Sequence, residues 1–589
     1  MSKAASRLHR TLQFFLAGSI LMGCATLTPT LGNARTPLQA NGALRANHAT
    51  AAARPVGGPT TDRKNPGRVW QDEIIYFIFT DRFANGDRTN DFNVQMNQPW
   101  AYHGGDLQGI INQLDYIKGL GATAIWITPV IDNRDNAFVA DFGGGRKQEI
   151  WGYHGYWFKD FYAIDEHLGD MNKMRELVQK SHQKGIKVLL DVVANHTDYD
   201  HPFARERKNP ASKYNKWFNQ HGVIKDFNDQ WWVENGELAE LPDLDQSNPE
   251  VSRYVIDSMK WWVKQTGVDG FRIDTVKHVP RAFWQQFNRE MRAFAGDDFL
   301  LLGEIYDGRP EFMAPYQKEG MHSAFDFPLY YAFKDAFGQG QSMRRFGEVF
   351  GKDGLYADAT MLSPFIDNHD VARFIHDAGN DGRRKLMLSL AMLMTIRGLP
   401  MLYYGTEVAL PGGNDPDNRR DMVFGRDQQM LNWVKTLTGI RKQQRALRRG
   451  SQLEMWQDDQ VYGFTRLTEV ANEEVMAFFN NSDQPQTRRV PLRAESPLKA
   501  TQSRLVNLLN AQDSVTVQGG SHSNHRSTKV CRDLSGRLLI QGRSPMSNVG
   551  AGRSENLLTF LHLHHTSSLY LRPVRGNDGR GHSLWDGTA

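Results

Sequence analysis

The sequence predicts an α/β protein: a closed barrel of parallel strands under helical cover, followed by an antiparallel β domain. Three observations carry this expectation. Short apolar runs alternate with amphipathic stretches of helical period from residue 74 to residue 404, the pattern of a parallel sheet crossed by helices. The runs number close to eight, a count that favours closure over an open sheet. Beyond Arg441 the pattern becomes the alternation of 461–466 and 474–480, which marks antiparallel strands with one solvated face.

The length of 589 residues exceeds what one hydrophobic core serves, so two or three domains are expected. A composition of 40% hydrophobic and 23% charged residues with a net charge of +4 reads as soluble and globular. No basic patch is interleaved with aromatic platforms, so nothing argues for a nucleic-acid partner.

In chain order, Lys3, Arg7 and Arg10 precede the apolar run 14–22, too short to span a bilayer and suited to an export signal over 1–24. The run ends Leu21-Met-Gly-Cys24, which resembles a bacterial lipoprotein processing box with Cys24 as the lipidated residue. Export is therefore expected, to the medium or as an outer-membrane or cell-surface lipoprotein of a bacterium; a lipid on Cys24 would be the sole membrane contact. The other cysteine is Cys531, which leaves no internal disulfide once Cys24 is lipidated. Residues 25–65 are Ala, Thr, Pro, Gly and Asn with few large apolar residues and read as a flexible linker.

The catalytic region is expected over 66–440. Strands are predicted at 74–79, 124–129, 186–193, 270–274, 299–304, 362–367 and 400–404, and helices at 109–120, 171–184, 249–266 and 281–295. The first strand leads into Asn85, Asp87, Asn90 and Asp91, four oxygen-bearing side chains within seven residues. That composition suits a hard cation such as calcium, and equally suits Asx turns that cap themselves. Two connections are long for plain loops. The loop 131–160 ends in Tyr153-His-Gly-Tyr156, and the excursion 197–243 holds Trp217, Phe218, Phe227, Trp231 and Trp232, of which one or two are expected to meet a ligand. A β-sandwich domain is expected over 441–520. The tail 521–589 fades into Ser, His, Arg and Gly and is expected not to pack regularly.

Polar residues gather at the carboxyl ends of the predicted strands: His196, Asp274, Glu304 and Asp370, where barrel enzymes place their chemistry. Arg272 and Asp274, two apart on one strand, point to the same side. By themselves they suit a structural salt bridge as well as a catalytic pair.

Five blocks taken together are specific. The segments 191–196, 241–245, 270–278, 303–305 and 365–370 resemble the conserved regions of the α-amylase family of retaining glycoside hydrolases, and the resemblance spans about 66–520. It implies a (β/α)8 TIM barrel, an inserted subdomain after strand 3 and a C-terminal antiparallel β-sandwich. It also implies Asp274 as nucleophile, Glu304 as general acid/base and Asp370 as the third carboxylate. Arg272 would hold the nucleophile ionised, His196 and His369 would bind the sugar at the cleaved residue, and Tyr156 would form the platform beneath it. Lys277 and His278 fall on the leaving-group side. The chemistry requires one carboxylate to form the glycosyl-enzyme and one protonated carboxyl to release the departing oxygen.

The resemblance further implies two calcium sites. Asn195, Asp243 and the carbonyl of His278 match one; Asn85, Asp87, Asn90, Asp91, Gly104 and Asp106 match the other. The implied substrates are starch, maltodextrins and related α-glucans, cut at internal α-1,4 bonds by a monomer. Cyclodextrin-forming transferases carry a bulky aromatic where this chain has Ala239, which speaks against cyclisation. Neopullulanase-like enzymes bring an N-terminal β domain for which 25–65 is too short and polar. The segment 412–422 nevertheless resembles neopullulanases and cyclomaltodextrinases, the alternative reading together with an α-glucan transferase. A non-catalytic glucan-binding protein would lack a carboxylate among the three, and all three are present.

Overall fold

The computed structural model describes residues 68–141, 147–470, 473–500, 503–517, 529–532, 538–541, 557–561 and 568–574. The export signal, Cys24 and the linker lie outside the described residues. Seven parallel strands form the central sheet: β1 (Ile75–Ile78), β2 (Ala124–Ile127), β3 (Lys187–Val192), β4 (Gly270–Ile273), β5 (Leu300–Gly303), β6 (Ser323–Ala324) and β7 (Met401–Tyr403). Their order is β6-β5-β4-β3-β2-β1-β7. The residues of these strands are buried, as apolar runs covered on both faces require.

The ring closes through 362–366. Ser363 N donates to Ala324 O at 2.9 Å, and Met401 N donates to Pro364 O at 2.9 Å, so this segment bridges β6 to β7. The expected strand at 362–367 is thus in place but makes only the bridge Phe325↔Ser363, because Pro364 has no N–H to extend a ladder. The two-residue β6 was not predicted. The result is a (β/α)8 barrel whose eighth member is an irregular arm.

Three predicted helices appear at Met171–Gln183, Pro249–Thr266 and Arg281–Ala295. The first two are capped by Asp170 and Asn248, and Gly267 at φ 70° ends the second in a left-handed turn, the conformation glycine adopts without strain. The helix expected over 109–120 starts earlier, where Asp106 Oδ1 accepts from Gly109 N at 2.5 Å, and divides into Leu107–Asn112 and Leu114–Leu120.

The loop 131–160 is a pair of β ribbons. Ile131–Asn133 pairs with Phe158–Ile164, and Phe138–Asp141 pairs with Lys147–Ile150. The excursion contains short turns of helix, including Gln230–Asn235, and returns to the barrel through the bridge His196↔Asp243. Trp217 and Phe218 are buried in it, whereas Phe227 and Trp231 are 52% and 49% exposed.

The C-terminal sheet is antiparallel, with β8 (Ser451–Gln457), β9 (Val461–Leu467), β10 (Val475–Asn480), β11 (Ser503–Asn507), β12 (Asn510–Val517) and β13 (Ser568–Val574) in the order β8-β9-β10-β13-β11-β12. Most of 521–589 is outside the described residues, yet β13 lies inside the sheet and Leu557–Leu561 pairs with Thr487–Pro491. The boundary drawn at 520 therefore cuts through the sheet. Antiparallel strands remote in sequence can be neighbours, and β13 is one short alternation in a polar stretch, too short to signal its partner.

Fully buried arginines join the two parts. Arg441 donates to the carbonyls of Met394 and Ile396 at 3.0 Å each and of Gly398 at 2.5 Å. Arg466 donates to Thr395 O at 2.8 Å and Gly450 O at 2.9 Å. Arg397 pairs with Asp326 within the barrel at 2.6 Å and donates its backbone N–H to Gln452 Oε1 of β8 at 2.9 Å. No helix among the described residues is long and apolar enough to cross a membrane.

Candidate active site

Register builds the site. On neighbouring strands β3 and β4, Asp191 stands beside Arg272, and both are fully buried. Asp274 and Glu304 follow the last residues of β4 and β5. Their backbones continue the ladder, with Asp274 N bonded to Val192 O at 2.9 Å and Glu304 N to Ile273 O at 2.8 Å.

The Arg272 guanidinium organises three carboxylates. Its Nη1 donates to Asp274 Oδ1 at 2.6 Å and to Asp191 Oδ1 at 3.0 Å. Its Nη2 lies 2.8 Å from Glu304 Oε1. Asp191 also accepts from Tyr156 Oη at 2.8 Å and from the Trp126 indole at 3.0 Å. Burial pushes the Asp191 carboxyl up to about 6, against the pull of Arg272, Tyr156 and Trp126. Burial also raises Asp274, and Arg272 opposes that shift most directly, while the charges of Glu304, Asp191 and Asp370 reinforce it.

Asp370 completes the set from the arm that closes the barrel. Its side chain is 33% exposed and lies 3.4 Å from Arg419. Burial, and next the charge of Glu304, push its carboxyl up to about 7. Arg419 also donates to His369 O at 3.0 Å and pairs with Asp415 at 3.1 Å, while Asn418 Nδ2 reaches the same His369 carbonyl at 2.7 Å. Asp191 and Arg419 were not among the candidate site residues.

The two histidines are uncharged near neutral pH. Burial lowers His196 to about 4 and, aided by Arg419 and Arg272, holds His369 well below its ordinary value. His369 Nε2 lies 2.8 Å from Tyr156 Oη, and the two rings are near parallel with centroids 5.5 Å apart. His196 Nε2 bonds Tyr156 O at 3.2 Å. Arg272, Asp274, Glu304, Asp370, His196, His369 and Tyr156 thus come together through these contacts.

Lys277 and His278 part company. Thr275, at φ 47° and ψ 38°, turns the chain after Asp274 and gives its N–H to Glu304 Oε2 at 3.1 Å. Lys277 then reaches Tyr306 O at 2.7 Å. The His278 ring is buried against Val233 O at 3.2 Å, so it packs into the excursion.

The two residue sets expected to hold calcium differ in how open their oxygens are. Among the described residues no three His, Cys, Asp or Glu side chains converge as a metal site, so both sets depend on amide and backbone oxygens. In the first, Asn195 Oδ1 is buried without a hydrogen-bond partner, and the buried Asp243 carboxylate receives one hydrogen bond, from Asn219 at 2.8 Å. In the second, Asn90 Oδ1 is similarly orphaned. Gly104, at φ +87°, leaves a hollow where a Cβ would come within 2.6 Å of Asn85 Nδ2 and 2.8 Å of Asp91 Oδ1. Asp106 is already engaged by Gly86 N at 3.1 Å and Asp87 N at 2.8 Å.

Comparison with known proteins finds clear relatives. The family profile described as alpha amylase, catalytic domain, matches residues 77–488. A beta/alpha-amylase of Paenibacillus polymyxa is 41% identical over 466 residues, which is 77% of this chain and 37% of the relative. A cyclomaltodextrinase of Geobacillus thermopakistaniensis is 32% identical over 473 residues, 75% of this chain and 73% of the relative. The crystal structure of an Anoxybacillus alpha-amylase superposes with a TM-score of 0.71 at 37% identity, covering 87% of this chain and 100% of that one.

Proposed function

This chain belongs to the α-amylase family of glycoside hydrolases, and from that premise we propose that it hydrolyses internal α-1,4-glucosidic bonds of starch and related α-glucans with retention. The observation that carries the reading is the shared guanidinium: Asp274 and Glu304 flank Arg272 at 2.6 and 2.8 Å. A nucleophile and an acid placed side by side suit double displacement. Asp274 attacks the anomeric carbon while Glu304 protonates the leaving oxygen. Glu304 then takes a proton from water as water displaces Asp274 from the sugar. Asp370 binds hydroxyls of the distorted ring, and neutral His196 and His369 offer hydrogen bonds without adding charge.

Two further features bear on bond choice. Ala239 is a small residue on the excursion at φ 51°, so no ring stands there for a glucan to wind around. A cyclomaltodextrinase reading has its own support, because the segment supplying Asp415, Asn418 and Arg419 is the one whose sequence resembles that branch. Product profiles on soluble starch, β-cyclodextrin and pullulan separate the readings. Rapid loss of starch viscosity with mixed maltodextrins is expected. Preferential opening of β-cyclodextrin, or its synthesis from starch, would replace the endo-amylase reading.

Calcium belongs to the proposal as a structural ion. Asn195, Asp243 and the His278 carbonyl would hold one ion, and the orphaned Asn195 oxygen with the buried Asp243 carboxylate fits that role. Asn85, Asp87, Asn90, Asp91, Gly104 and Asp106 would frame the other, with Asp106 contributing chiefly by fixing the loop. When bound, calcium neutralises these oxygens and cross-links the chain around them.

A further inference from the structure

Arg373 is fully buried on the arm that closes the barrel, a short step beyond Asp370, and has no part in the site as described above. It reaches two other stretches of chain. Its Nε donates to Asn418 O at 2.9 Å, its Nη1 donates to Tyr404 O and lies 3.5 Å from Thr406 Oγ1, and its backbone N–H donates to Gly412 O at 3.0 Å. We propose that Arg373 is a positioning residue for Asp370, holding that carboxylate in place through Asn418; the reaction it serves rests on the function proposed above.

The surroundings say why an arginine stands there. Among the described residues no carboxylate forms an ion pair with Arg373. Carbonyl oxygens and the ring faces of Tyr403 and Tyr404, 3.9 and 4.8 Å from its Cζ, surround it instead. A buried cation without an ion-pair partner is costly unless hydrogen bonds satisfy it, and an apolar side chain of similar size would fill the same space at less cost. What an apolar side chain lacks is a rigid fork of donors that grips two segments at once.

The grip is passed on to the carboxylate. Asn418, itself fully buried, gives its Nδ2 to His369 O at 2.7 Å and to Val371 O at 2.9 Å, so one side chain brackets Asp370 from both sides. The next residue, Arg419, bonds His369 O at 3.0 Å and lies 3.4 Å from the Asp370 carboxylate. Asp367 pins the arm at its ends, accepting from Phe374 N at 3.0 Å and from Thr406 Oγ1 at 2.9 Å. Segment 367–374 is thereby a closed turn that carries Asp370, and Arg373 ties it to the loop 412–420. If the tie is loosened, Asn418 shifts and the bracket moves with it. A carboxylate that must meet sugar hydroxyls in the transition state is sensitive to such a shift, by about 10²-fold for 1 Å, whereas ground-state binding, spread over many contacts, changes little.

Arg373→Lys in the full chain keeps the charge but reaches only one of the two side-chain-bound carbonyls. On soluble starch, kcat is expected to fall about 100-fold with KM within about twofold of the unchanged chain. Asn418→Ala leaves the backbone partners of Arg373 in place and removes the bracket, so it should show the same loss. The double variant should be no worse than either alone, as for residues that act in series. Unchanged turnover in either single variant, losses that multiply in the double one, or a loss found mainly in KM would overturn the proposal. A second arm needs no activity. Hydrogen–deuterium exchange of Arg373→Lys should quicken in 367–374 and 412–420 while the helix 249–266 exchanges as before; exchange quickened everywhere would mean a general loss of stability and refute the positioning role. Asn418→Ala carries both measurements if the lysine variant does not fold. A chain that hydrolyses no α-glucan would refute the proposed function instead, and the exchange experiment still reads Arg373.

Discussion

Replacing Asp191 by Asn tests whether the site depends on the partner that holds Arg272 from behind. Asp191 accepts from Arg272 through both oxygens, at 3.0 and 3.1 Å, and through Oδ2 also from Tyr156 at 2.8 Å and Trp126 at 3.0 Å. An amide keeps one acceptor. With its NH2 toward Trp126 it confronts an indole that can only donate; with its NH2 toward Arg272 it confronts the guanidinium. Either placement leaves a fully buried arginine short of a counter-charge or donor facing donor. Breaking a buried pair costs about 3–5 kcal/mol, and that loss should appear in the free energy of unfolding from urea titration. Turnover should fall as well, because Arg272 and Tyr156 both lose the group that aims them, and a 1 Å misplacement costs roughly 10²-fold. Wild-type stability together with wild-type turnover on starch would refute this account of Arg272.

Asp370→Asn should abolish turnover yet improve relative stability as pH rises. The carboxyl of Asp370 is shifted from 3.8 up to about 7, so between those values the folded chain keeps a proton that the unfolded chain releases. Stability therefore falls as pH rises through the window, and the amide has no such slope. The melting temperature of the variant minus that of the unchanged chain should increase from about pH 4 to about pH 8; parallel curves would contradict the burial argument. Dialysis against a chelator should lower the melting temperature, and calcium should restore it; an unaltered transition would end the structural role proposed for calcium. Mass spectrometry of the mature protein from an exporting host should find a lipidated Cys24 at its start, and an unmodified start further along would exclude the anchor.

The barrel was legible because its strands are apolar runs that tolerate little else, from 74–79 through 400–404. Where the physics is not periodic, legibility ends. Ser323–Ala324 is too short to have a period, and Pro364 turns the strand expected at 362–367 into an arm held by isolated hydrogen bonds. The carboxylates proposed as catalytic stand out because Asp274 and Glu304 each terminate an apolar run. Asp191 is visible in the sequence as an acid inside such a run, but its purpose depends on Trp126, Tyr156 and Arg272, which only register brings to it. Arg419 sits among Asp, Asn and Arg in a loop without pattern, and nothing there says that it points at Asp370. The same limit applies to His278, whose ring follows the turn set by Thr275 into the excursion.

The buried arginines between barrel and C-terminal sheet bear on how the chain comes apart. From the sheet, Arg466 of β9 occupies the carbonyl of Thr395 and Gln452 of β8 accepts from Arg397 N, in the stretch that delivers the chain into β7. Stripping the sheet away would break both contacts and expose the seam where the barrel closes on β1. The joint behaves as a dowel, not a hinge. The two parts should therefore melt in one calorimetric transition, and a protease that severs the C-terminal sheet should leave no stable barrel behind.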